Sequence, residues 1–202
     1  MKTSGEKRAA LGIRMHSGWG VLVTISGDAG SVEVLDRRRI VTADLTVPGA
    51  KQPYHSAAGL GLREAESYLA NCAAVSERLA FEAIREVVGD LKARRCRIAG
   101  SAVLLASGRP LPGLPAILAS HALIHTAEGE FFRDAVKKAC ERLEAPVTAI
   151  KERDLDGRAR TTFGNEASRM QRRISSLGSS IGPPWTKDHK TAALAAAILL
   201  AT

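Results

Sequence analysis

Apolar residues fall first into short alternating or continuous runs, then into a three-to-four-residue spacing, and then into both again. Leu11 to Met15 reads as a first strand, and Gly18-Trp19-Gly20 marks a turn. The Val- and Ile-rich run from Trp19 to Ser26 predicts a second strand. Gly27-Asp28-Ala29-Gly30 is a hairpin signal, and Ser31 to Thr42 predicts a third strand with Asp36 to Arg39 on a wet edge. Two tight connections make these strands an antiparallel meander. Pro48 to Gly61 reads as a loop holding Tyr54 and His55. From Leu62 to Leu91 the spacing is helical, as one long helix or as two with a break near Asn71 to Ser76.

The continuous apolar run from Ala102 to Ala106, bounded by Gly100 and Gly108, fits a strand covered on both faces. After the turn Ser107-Gly108-Arg109-Pro110, a short apolar helical piece carries His121 and His125. A second helix follows, with Thr126 as its N-cap and Glu128 and Glu130 in its first turn. Pro146 to Glu152 predicts another short strand. Asp154 to Trp185 is a Gly/Ser/Arg-rich connection with one amphipathic helix, Asn165 to Leu177, and Thr186 caps a final helix. The fold class is therefore α/β, with a mixed sheet. At 202 residues and without internal repeats, residues 1–202 form a single domain.

The charge changes this picture more than the composition does. A net charge of +8 favours an anionic partner, DNA or RNA among them. Aromatic content of 4% counts against a protein that grips single strands by base stacking. Cys72, Cys96 and Cys140 are widely spaced and form no CxxC pair, so reduced thiols are expected. The first residues show no signal-peptide pattern, and the apolar run Ala192 to Ala201 is too short for a bilayer. The expectation is a cytoplasmic protein without membrane association.

The order of elements resembles the ribonuclease-H-like superfamily, nearest to the branch of the bacterial Holliday-junction resolvases. Leu11-Gly12-Ile13-Arg14 followed by Gly18-Trp19-Gly20-Val21-Leu22 is similar to that family's Gly-Ile-Asp strand and aliphatic second strand. Ala192-Ala193-Leu194-Ala195-Ala196-Ala197 is similar to its alanine- and leucine-rich terminal helix. The resemblance implies a three-strand antiparallel meander plus parallel strands, flanked by helices. It also implies nuclease chemistry with two divalent metal ions held by carboxylates.

The carboxylate pattern departs from the family's. Arg14 stands where the first-strand acid belongs, and Leu104 to Gly108 offers no acid. A guanidinium about 5 Å from a divalent ion, at an effective dielectric near 20, is repelled by about 6–7 kcal/mol. Ala192 matches the family's last-helix acid, with Asp188 one turn earlier on the same face. Asp188, His189 and Glu66, beside Glu64, are the residues left for catalysis. The resemblance thus implies a nucleic-acid-associated protein with a degenerate or altered nuclease site.

All five histidines fall near strand ends, helix starts or loops. They read either as replacements for the lost carboxylates, holding one transition metal or acting as acid and base, or as capping and half-buried side chains. His121 and His125 have the i, i+4 spacing that lets two imidazoles share an ion. Arg14 and His16 share a strand face and, with Arg109, fit an anion pocket. Alternatively, Arg14 pairs with Glu128 or Asp188 as a structural replacement for a lost metal. Glu128 and Glu130 fit helix-dipole roles. Ser107 lacks the GxSxG elbow of a nucleophile. Two further classes stand beside the nuclease-like one. One is an enzyme or sensor binding a small anionic ligand or one metal through Arg14, His16, Arg109, His121 and His125. The other is an interaction module, homodimeric through the long helix.

Overall fold

The strand β1 (Lys7–His16) lies at the centre of a five-stranded sheet in the computed structural model, which describes residues 7–27, 31–106 and 110–202. Its neighbours are β2 (Trp19–Ser26) and β3 (Glu33–Val41) on one side, and β4 (Cys96–Leu105) and β5 (Val147–Lys151) on the other. The order is β3-β2-β1-β4-β5, with the first three strands antiparallel and β4 and β5 parallel to β1. The expected meander and parallel strands are both present. The tip of the β2–β3 connection lies outside the described residues, as do Ser107 and Arg109.

Alternation along β1 sends its residues to two different cores. Leu11, Ile13 and Met15 join Ile84 and Val87 of α2 (Leu62–Ala93), and Phe132 and Val136 of α4 (His121–Arg142). Ala10 faces the other way, toward Ala192, Ala193 and Ala196 of α8 (Lys187–Ala201). That phase puts Gly12, Arg14 and His16 on the α8 side. A Cβ on Gly12 would lie 1.8 Å from the Ala192 carbonyl oxygen, so only glycine admits the helix at this depth.

The helix α2 runs unbroken, because Asn71 to Ser76 contains neither glycine nor proline. The loop around Tyr54 contains a short helix, α1 (Pro53–Ala57), with Pro53 in its first turn. The expected boundary at Thr126 is overturned. The short helix α3 (Leu114–Leu118) ends before the histidines, and α4 starts at His121 after the N-cap Ser120. The Thr126 hydroxyl donates to the Ala122 carbonyl at 3.0 Å, the bond of a helix interior, whereas a capping hydroxyl would accept from a backbone N–H. Glu128 and Glu130 thus stand beyond the first turn, outside the reach of the helix dipole.

The connection expected to hold one helix holds three: α5 (Leu155–Phe163), α6 (Ala167–Ser176) and α7 (Gly178–Ile181). Leu155, Ala159, Met170 and Ile174 bury their side chains in the α8 core. All three cysteines are free, and burial pushes the Cys140 thiol up to about 11. Among the described residues no helix is long and apolar enough to cross a membrane.

Candidate functional site

Arg14 emerges from β1 between two carboxylates that arrive from distant parts of the chain. Its Nε donates to Glu152 Oε1 at 2.7 Å, and its Nη1 donates to Asp188 Oδ1 at 2.7 Å. Glu152 opens the single 3-10 turn that follows β5, and Asp188 sits in the first turn of α8, where the helix dipole favours an anion. His16 Nε2 lies 2.8 Å from Asp188 Oδ2 and 3.0 Å from Arg14 Nη1. The His16 ring stacks on Trp19 with centroids 4.3 Å apart.

Burial works to lower the Arg14 pKa, but the hydrogen bonds and charges of Glu152 and Asp188 outweigh it and raise the value overall. Arg133 of α4 brings a second cation into the same field. Its Nε donates to the Leu104 carbonyl at 3.0 Å, and burial lowers its pKa against the pull of Glu130 and Glu152. The family-type metal pair does not fit this donor set. Both carboxylates already face a planar cation that fills the space between them, and Arg133 adds further repulsion.

A groove of about 430 Å³ runs beside this network, lined by Trp19, Arg37, Arg38, Arg39, Lys187 and His189 among others. Its cations are not equivalent. Arg37 donates to the carbonyls of Ile181, Gly182, Pro183 and Pro184, so it holds the lead into α8 in place. Arg38 pairs with Asp36 and Asp90. Arg39 is exposed and lies 3.9 Å above the Trp19 ring, and Lys187 is exposed at the start of α8.

The residues expected from sequence divide into separate groups. Arg14, His16 and Asp188 meet; of the two partners considered for Arg14, Asp188 is engaged and Glu128 is not. His189 is buried as the third helical residue of a capping box: the Thr186 N–H donates to its Nδ1 at 3.3 Å. Burial, then the charge of Arg37, holds its pKa below the usual range, while Asp188 opposes both. Glu66 is exposed on α2, whose buried face joins the core on the opposite side of the sheet, so it takes no part in the Arg14 network. His121 and His125 meet each other and His55, not Arg14, which divides the single pocket that would have used all of them. Arg109 lies outside the described residues.

Sequence reasoning missed Glu152, Arg133 and Trp19 as parts of this site. Glu152 had one available signal, its place at the carboxyl end of a strand parallel to β1.

The strand order, the pairing senses and the helix on the Gly12 face define a ribonuclease-H-like fold. No protein-family model matches the chain, and no curated protein matches it. Among solved structures, the chain is similar to T. thermophilus RuvC in complex with Holliday junction substrate. It is 15% identical there, with a TM-score of 0.49, covering 95% of this chain and 91% of that one. A second Thermus thermophilus RuvC structure gives 14% identity and a TM-score of 0.46, covering 95% of this chain and 92% of that one.

Proposed function

We propose that this protein associates with nucleic acid through the basic groove beside Arg14, and that an ion-pair network replaces a metal-dependent nuclease centre. The observation that carries the reading is the Arg14 guanidinium held between Asp188 and Glu152 at 2.7 Å from each. It neutralises the carboxylates that a divalent ion would need. The groove supports the binding half of the reading: exposed Arg39 and Lys187 offer charge to a phosphate backbone, and Arg39 rests on the Trp19 ring.

A gel series with branched DNA, single-stranded DNA and an RNA–DNA hybrid, each with Mg²⁺, Mn²⁺ or chelator, tests it. The expected result is binding that weakens steeply with salt, without cleavage under any metal condition. Metal-dependent cleavage lost in Asp188→Asn would overturn the replacement of the nuclease centre. Absence of salt-sensitive binding would overturn the nucleic-acid reading.

A second reading follows from the size of the groove, which lies in the range of small-ligand sites. A small phosphorylated ligand would be held by the same Arg39 and Lys187. Thermal stabilisation by such a ligand, lost in Arg39→Ala, together with no nucleic-acid affinity, favours it.

A further inference from the structure

The histidines left outside the Arg14 network form a constellation of their own. His121 and His125, one turn apart at the start of α4, bring their Nε2 atoms to 3.0 Å. His55 of α1 packs edge-on against both, with ring centroids 5.2 and 4.8 Å away. Each of the three offers a nitrogen, and these nitrogens all lie within 4.8 Å of one another.

A second observation points the same way. The Glu128 side chain is only 3% exposed, yet among the described residues no Lys or Arg pairs with it. Its Oε1 accepts from the His55 backbone N–H at 3.2 Å and lies 2.9 Å from His55 Nδ1. A buried carboxylate needs a compensating positive charge. Holding Nδ1–H of an imidazole is how a carboxylate fixes a metal-ligating histidine, leaving the Nε2 lone pair for the ion. A His55–Glu128 pair by itself gives no reason for two further imidazoles to converge on the same ring.

We infer that His55, His121 and His125 bind one transition-metal ion of the zinc type, oriented by Glu128 and leaving a fourth position open to solvent. Zn–N bonds of about 2.0–2.1 Å put tetrahedral ligand nitrogens about 3.3–3.4 Å apart. The 3.0 Å pair is already near that spacing, and His121 and His125 are exposed, so their rings are free to close the remainder. The ion would staple the five-residue α1 to α4, adding to the contacts of Tyr54 with Ile117, Ile124 and Ala127. Imidazole donors with an open position suit Zn²⁺, Ni²⁺ or Co²⁺ rather than Mg²⁺.

The test uses tag-free, chelator-stripped protein titrated with Co²⁺ and then with Zn²⁺. One equivalent of Co²⁺ should produce the visible absorption of a low-coordinate site, be displaced by Zn²⁺, and raise the unfolding temperature. His125→Ala, an exposed position, should lose at least a hundredfold in affinity while keeping its far-ultraviolet dichroism, and His55→Ala should do the same. Glu128→Gln should weaken binding about 10- to 100-fold. Asp188→Asn should leave metal affinity unchanged, which separates this site from the Arg14 network. Binding weaker than millimolar, affinity unaltered in His125→Ala, or affinity lost in Asp188→Asn would each overturn the assignment.

Discussion

Arg14 shows how one side chain decides what a strand end can do. Its two carboxylates are partly buried, so removing the cation leaves both without the partner they share. Arg14→Ala is expected to lower stability by about 1–3 kcal/mol, read from urea unfolding. A double-mutant cycle with Asp188→Ala should give a coupling of about 0.5–3 kcal/mol. A coupling of zero would mean that the pair is ornamental. Arg14→Asp makes the complementary test. It should give Mg²⁺-dependent thermal stabilisation that the parent protein lacks, because three carboxylates then converge where a guanidinium stood.

His189 carries a pH dependence whose sign follows from its folded-state pKa. Desolvation, then the Arg37 charge, depresses that pKa, with Asp188 opposing, and Trp185 packs against the ring. The unfolded chain takes up a proton as pH falls through about 6.5, while the folded imidazole stays neutral. Stability contributed at higher pH is therefore lost progressively below about 6.5. His189→Gln keeps a capping-box side chain at the same position and removes the titration. Thermal unfolding in chelator should show a smaller loss between neutral and mildly acidic pH for this variant than for the parent. Equal slopes would refute the role of His189.

Among the elements, β1 and α8 are the pair most sensitive to a single atom. The Ala192 carbonyl is backbone and has no rotamer by which to yield to a new Cβ on Gly12. Gly12→Ala must lift the helix from the sheet and open the core around Ala192, Ala193 and Ala196. Overpacking of this kind costs about 1–3 kcal/mol, so a clear drop in unfolding temperature is expected, and an unchanged value would deny the close approach. The alanine-rich composition of α8 has its physical reason here: small side chains let the helix lie directly on β1, β2 and β4.

For the whole molecule, the proposed nucleic-acid association predicts a binding constant that falls linearly in log–log plots against salt. The slope for duplex DNA should be about −0.9 per neutralised phosphate. Replacing Arg39 and Lys187 together with alanine should reduce its magnitude by about 2, uniformly across sequences. An unaltered slope would place the binding face elsewhere, with the exposed Arg158, Arg160 and Arg172 of α5 and α6 the next surface to change.

Local patterning was enough to read the meander, the long helix, the buried central strand and the capped last helix. Period-two and period-3.6 signals depend only on neighbouring residues, and these elements are long or strongly patterned. It was also enough to put Arg14 and His16 on one strand face and His121 and His125 on one helix face. The Thr126 boundary was misread because a threonine hydroxyl can accept from backbone N–H groups at a cap or donate to the carbonyl four residues back inside a helix. The sites themselves were decided only by tertiary structure. Glu152 lies 138 residues from Arg14, and Asp188 lies 174 residues away. Glu128 lies 73 residues from His55. Which acid meets which cation over such separations is settled by strand order and helix packing, and no local pattern along the chain encodes that choice.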